Sequence, residues 1–189
     1  MKANELLEII KSRRSVSPNN FSQEEISAEE LQLILESANW SPNHKRTEPW
    51  RYKVIQGEAK QRFANFLVKK YEDNTALELQ SDRKKEDLAD KPLKSDKIIL
   101  ICMQTSPILP EWEELAATSM SVQNMWLMST SLGIGAYWST PSMMNYVHEF
   151  VELNPDEKCI GFFYLGKLNV ALNEGSRKPI EDKIQLIEK

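Results

Sequence analysis

The stretch Leu115–Thr140, LAATSMSVQNMWLMSTSLGIGAYWST, decides how the rest of the chain is arranged. Leu115 to Leu132 contains no Gly, no Pro and no charged residue. Its apolar residues, among them Leu115, Met120, Val122, Met125, Trp126 and Met128, fall on every side of a helical wheel. A helix that is apolar all round is buried in a core or in a membrane. The Ser, Thr, Gln and Asn between the apolar positions argue against a span, which needs about 20 mostly apolar residues. The pattern predicts a buried core helix. Gly133 and Gly135 are expected to end it, because glycine takes up the left-handed conformation at a helix C-terminus without a Cβ clash. Ala136 to Thr140 should follow as a short strand.

A chain of 189 residues suits one domain spanning 1–189, or one protomer of an intimate dimer. With 41% hydrophobic residues and five Trp it can bury a sizeable core. The net charge of −4 gives no sign of a nucleic-acid partner, although a local basic cluster could still bind an anion. Cys102 and Cys159 belong to no CxxC pair, so they read as buried free thiols in a reducing compartment. The N-terminus lacks a continuous apolar signal region, which makes the cytoplasm the expected location.

Outward from the central stretch, Ala3, Leu6, Leu7 and Ile10 recur at helical spacing and predict an amphipathic helix over residues 3–11. Ser27 and Glu30 form a capping box ahead of a second helix carrying Leu31, Ile34, Leu35 and Ala38. Trp40 to Pro49 is irregular. Trp50 to Gln56 alternates like a strand, and Ala59 to Tyr71 reads as a helix with Phe63, Phe66 and Leu67 inward. Between Asp82 and Lys91 every residue except Leu88 and Ala89 is charged, as in a solvated helix or a mobile excursion. Lys97–Met103 is a continuous apolar run suited to a strand buried on both faces. Glu111 to Glu114 supply an acidic first turn to the central helix. Ser142–Leu153 reads as a short helix, Ile160–Gly166 as a second buried strand, and the tail closes on an amphipathic piece, IQLIEK. Helices outnumber strands, which gives an α+β class.

Arg13, Arg14 and Ser15 could hold a phosphate, since guanidinium forks pair bidentately with its oxygens and a hydroxyl adds a donor. Arg177 and Lys178 could converge on the same anion. Gly133-Ile134-Gly135 is not a dinucleotide loop. A Rossmann glycine loop follows a strand and opens a helix, whereas here the order is reversed and Trp138 stands at the third glycine position. His44 and His148 are the only histidines and are not spaced as metal ligands. There is no GxSxG elbow. The residues therefore name no metal site, acid, base or nucleophile. Basic groups with many aromatics suit an organic cofactor that brings its own chemistry.

The chain resembles the nitroreductase superfamily of FMN-dependent NAD(P)H oxidoreductases, especially its short-chain bacterial members. The resemblance rests on Arg13-Arg14-Ser15, on Ser41-Pro42-Asn43-His44-Lys45 followed by Pro49-Trp50-Arg51, and on Gln123-Asn124-Met125. Gly133-Ile134-Gly135 with Tyr137-Trp138-Ser139, Gly161-Phe162 to Leu165-Gly166, and Arg177-Lys178-Pro179 complete it. It implies an α+β fold, with a mostly antiparallel central sheet flanked by helices around a long buried helix, in an interlocked homodimer with FMN at the interface. By this likeness Arg13, Arg14, Ser15 and Arg177 would grip the FMN phosphate. Trp138, Ser139 and Thr140 would run beside the flavin, and Trp40 and His44 would reach it from the other protomer. NADH or NADPH would serve as the transient reductant and a small-molecule electron acceptor would follow in ping-pong order, with no membrane involved.

The family often carries Gln where Glu48 stands, and a carboxylate accepts but does not donate. Trp40 replaces a frequent Arg, and Trp138 a residue that is often polar. These changes imply an aromatic, less cationic pocket suited to nitroaromatics or quinones. Enone reduction, reductive dehalogenation, non-catalytic flavin binding and a structural α+β dimer that binds no flavin are the alternatives.

Overall fold

The computed structural model describes residues 2–188. In chain order the main elements are α1 (Ala3–Ser12), α2 (Ala28–Asn39), β1 (Trp50–Ile55), α3 (Ala59–Asp73), α4 (Asp82–Lys94), β2 (Lys97–Gln104), α5 (Glu111–Ser131), β3 (Ile134–Ser139) and β4 (Glu157–Lys167). The four strands form one sheet in the order β1-β2-β4-β3, antiparallel throughout. The α+β class and the antiparallel sheet are as the sequence leads one to expect.

The apolar run in β2 places a strand at the centre, and Ile98 to Met103 are all buried. Side chains alternate across a strand, so two cores form. Ile98, Leu100, Phe162 and Tyr164 face Phe63 and Leu67 of α3, Leu88 of α4 and Val147. Ile99, Ile101, Phe163 and Leu165 face Ile34 of α2 and Val122 and Met125 of α5. Phe63 meets Phe162 edge-on, with ring centroids 5.1 Å apart. The capping box forms, with Ser27 N–H donating to Glu30 and Glu30 N–H to Ser27 Oγ. The charged stretch is a solvated helix, α4, pinned by Leu88 and Pro92.

The central helix departs from its expected burial. α5 buries Ala117, Thr118, Ser121, Val122, Met125 and Ser129 on one side only. Leu115 and Met120 remain 42% and 41% exposed in the single chain. The sheet and α2 cover one face, and α1 with Arg13 reaches another part of the helix, but Leu115 and Met120 stay open among the described residues. The hydroxyls on the covered face return to the helix's own carbonyls, Thr118 to Glu114, Ser121 to Thr118 and Ser129 to Met125. This keeps them satisfied within the helix, and Ser121 also pairs with the Tyr52 hydroxyl of β1. α1 likewise buries none of its residues, and Leu6, Leu7 and Ile10 stay exposed.

Several boundaries shift. β3 begins at Ile134, not Ala136, because only Gly133 (φ 69°) ends the helix. Gly135 lies inside β3 opposite Gly166, and the two make a floor for Phe21. β4 starts at Glu157, three residues before the apolar run. Ser142–Glu149 is a 3-10 helix, and of the IQLIEK segment the described residues, 184–188, are exposed and form neither helix nor strand, with one 3-10 turn at Glu181–Lys183 before them. An isolated apolar face has nothing in this chain to pack on, so it gains nothing from becoming helical. Cys102 and Cys159 are free and buried, as expected, and they are direct partners across β2 and β4.

Two predictions follow from this packing. A Cβ at Gly166 would sit 2.5 Å from Cγ and 2.7 Å from Cβ of Phe21. Gly166→Ala should therefore destabilise the fold by about 1–3 kcal/mol, measured by urea unfolding, as overpacking does. The second concerns Glu157. Burial pushes its carboxyl up, but the ion pair with Lys53 and the Asn154 N–H donors outweigh this and hold it below its ordinary value of 4.5. A carboxylate with a depressed folded value stabilises above its unfolded value, and that stability is lost as pH falls through the folded one. Unfolding midpoints should drop below pH 4.5, and Glu157→Gln should flatten that acid limb.

Candidate functional site

The site is built where the N-terminal segment crosses the middle of α5. Trp126 donates its indole N–H to the Arg14 carbonyl at 3.0 Å, and the Arg13 guanidinium lies over the Trp126 ring, 4.7 Å from its centroid. A cation over an aromatic face is attracted by the ring quadrupole. The chain then runs on beside β3, where Ser15 bridges Ala136 and Val16 N–H donates to the Ala136 carbonyl at 2.9 Å. This contact also covers the free edge of β3.

The C-terminal segment returns to the same place. Arg14 Nε donates to the Asn173 carbonyl at 2.9 Å, and Arg14 Nη1 donates to the carbonyls of Lys11 and Arg13. Gly175 lies so close to this guanidinium that a Cβ there would be 2.6 Å from Cζ. Arg14 thus clamps the tail and delivers Arg177. Arg13, Arg14 and Arg177, with Lys11, Gln123 and Trp126, line a cleft of about 730 Å³. Burial, followed by the like charges of Arg177 and Arg14, holds the Arg13 guanidinium below its usual value. Every ion pair among the described residues uses a Lys or His cation, so the three arginines share no carboxylate. Three guanidinium groups without a carboxylate partner in one cleft give it a locally positive character.

Other expected site residues lie on neighbouring elements. Trp138, Ser139 and Thr140 continue from Ala136 at the end of β3. The Trp138 indole N–H is buried without a partner and lies over Gly161. Trp40, 80% exposed, donates its Nε1–H to Glu36, and His44 pairs with Glu113 at the start of α5. Neither lines the arginine cleft of its own chain. Lys178 does not line it either.

Gln123 and Trp126 are lining residues that sequence reasoning assigned to the core. Gln123 is exposed in the single chain, whereas Asn124 is satisfied by the Ser37 carbonyl and Ser41 Oγ. No local signal separates a core tryptophan from one that floors a cleft. No cluster of three His, Cys, Asp or Glu suited to a metal occurs among the described residues, and no helix there is long and apolar enough to cross a membrane.

The profile of the nitroreductase family matches residues 10–167. The Escherichia coli (strain K12) protein named "Putative NAD(P)H nitroreductase YdjA" is 30% identical over 166 residues, 85% of this chain and 86% of that one. A nitroreductase-like family protein from Bacillus cereus superposes with a TM-score of 0.82 at 27% identity, over 100% of this chain and 99% of that one. A Desulfovibrio desulfuricans protein solved in complex with FMN shares the fold, with a TM-score of 0.75 at 22% identity over 99% of each chain. With its sheet order, its arginine cleft and a match covering most of its length, the chain belongs to the nitroreductase family.

Proposed function

We propose that the protein is an FMN-dependent oxidoreductase that takes hydride from NADH or NADPH and reduces a flat acceptor, a nitroaromatic or a quinone, in ping-pong order. The observation that carries this reading is the Arg13, Arg14 and Arg177 cluster, which has no carboxylate partner among the described residues. Its chemistry fits the phosphate monoester of FMN, and the indole of Trp126 beside it suits an aromatic cofactor. The FMN-bound fold from D. desulfuricans and the NAD(P)H relative from E. coli support the choice of cofactor and reductant. Bound FMN would supply hydride acceptance and delivery.

The chain's own residues do the holding. In this reading Arg13 and Arg177 offer open N–H groups, Arg14 adds charge while its N–H groups fix the tail, and Ser15 adds a hydroxyl. Trp138, Ser139 and Thr140 form the wall that continues from β3. The whole chain, 1–189, acts as one FMN-binding unit within a homodimer. The uncovered apolar faces of α1 (Leu6, Leu7, Ile10) and α5 (Leu115, Met120) support the dimer, since a second copy would cover them. Trp40 and His44, which do not line their own arginine cleft, then serve the partner's site. With Trp in place of a cation at residue 40, the pocket favours acceptors that stack.

Purified protein should carry a flavin absorption band that bleaches anaerobically with NADPH or NADH. Quinones or nitroaromatics should restore it faster than small polar enones do. A band that does not bleach on a turnover timescale would instead mark a flavin carrier. Arg13→Ala should weaken FMN binding by about tenfold or more, because a hydrogen bond to a charged group contributes roughly 1.5–3 kcal/mol. Fluorescence titration measures this, and the urea midpoint of the flavin-free variant should stay close to that of the parent. Unchanged FMN affinity would remove the phosphate assignment.

A further inference from the structure

The loop between α2 and β1 is held in a backbone conformation that its residues resist. Lys45, Arg46 and Glu48 have φ of 51°, 56° and 45°, left-handed values for three residues that carry a Cβ. Such strain persists only where the surroundings over-determine it, and it clusters at functional sites. Here the first turn of α5 supplies two of the restraints from outside the loop. Thr47 Oγ1 donates to Glu114 Oε2 at 2.8 Å, and His44 Nδ1 lies 2.6 Å from Glu113 Oε2. Within the loop, Glu48 N–H donates to Asn43 Oδ1 at 3.2 Å. Glu114 is buried, and its Oε1 has no partner among the described residues.

The result is a fixed imidazole. An ionised carboxylate can only accept, so the proton between His44 and Glu113 sits on Nδ1. The His44 side chain is 57% exposed against 23% for Glu113, so the ring faces outward with its base shielded. Nε2 makes no hydrogen bond among the described residues. The charged groups around it are Glu113 and Glu114 from α5, and Lys45, Arg46 and Glu48 from its own loop. Glu111 on the same turn of α5 is occupied by Lys158 of β4 at 2.6 Å.

We propose that Glu113 is the positioning residue that makes His44 a proton carrier for the electron acceptor in the partner's site. This rests on the reading above, in which His44 reaches that site across the dimer. A quinone that receives a hydride needs one further proton to become a hydroquinone. A nitro group that receives a hydride and one proton becomes nitroso plus water. The hydride originates from NAD(P)H. The proton leaves His44 Nε2 for the acceptor oxygen as the electron pair arrives, and water then reprotonates the ring. Glu113 keeps Nδ1 protonated throughout and balances the charge of the imidazolium. An exposed ion pair by itself contributes little to stability, which leaves orientation as the effect of this one.

The test uses the protein as purified, with Glu113→Gln, Glu113→Ala and His44→Gln. Nitrogen-detected NMR should show the neutral His44 ring mainly as the Nδ1–H tautomer in the parent and as a mixture in Glu113→Ala. A mixture already present in the parent would overturn the proposal. In turnover, Glu113→Gln and His44→Gln should lower kcat for a quinone by about tenfold or more, within the range of general-acid effects. In Glu113→Gln, any loss in bleaching by NAD(P)H, and in reduction of ferricyanide, which takes an electron and no proton, should be several-fold smaller than the loss for the quinone. An equal loss for quinone and ferricyanide, or no loss for quinone, would overturn the proposal while flavin content and bleaching leave the flavin reading intact. A parent protein without flavin or bleaching would overturn both.

Discussion

The contact between Trp126 and the Arg13–Arg14 peptide is the constraint on which the site depends. One indole does two things there. Its N–H satisfies the Arg14 carbonyl, and its face receives the Arg13 guanidinium. Trp126 can do this because the next residues on α5, Met125 and Val122, are locked against Phe163 and Ile101 of the sheet. Trp126 itself meets Phe163 edge-on at 5.4 Å. The position of the arginines is thus set by sheet packing, transmitted through one side chain.

The same helix holds a second functional segment. Its first turn carries Glu113 and Glu114, which tether His44 and Thr47, and its middle carries Asn124, which ties down Ser37 and Ser41. α5 therefore holds the Arg13–Arg14 segment at its middle, through Trp126, and the strained loop at its N-terminal end. A single chain gathers only the arginines into its own cleft. In the proposed dimer the two sets meet between protomers, and the apolar faces left open on α1 and α5 are the surface across which they would do so.

Charge distribution supports this division. The protein is acidic overall, and nine of its lysines pair with carboxylates, whereas no arginine among the described residues does, and three of those arginines, Arg13, Arg14 and Arg177, share one cleft. Burial first, and then the like charges of Arg177 and Arg14, hold the Arg13 guanidinium below its usual value. An arrangement of this kind is stable when something anionic shares the cleft.

Much of the fold was legible in the sequence because its signals are local. The apolar run of β2, the capping box of α2 and the charged length of α4 each depend on residues within one element, and each formed as read. Arg13-Arg14-Ser15 was legible as basic chemistry, and Gly133 as a helix stop. What the sequence could not supply was long-range. It did not show that Arg14 would clamp residue 173, that Cys102 would face Cys159, or that Gly135 would lie under Phe21 and not end a helix. It also overstated the burial of α5, because periodicity reports that a face is apolar but not what covers it. Sequence alone determined which segments are helix or strand and which groups are cationic, since those follow from spacing and side-chain chemistry. Tertiary structure decided which cations converge and which carboxylates hold the histidine loop, because those contacts join residues more than sixty positions apart and exist only once the sheet has brought them together.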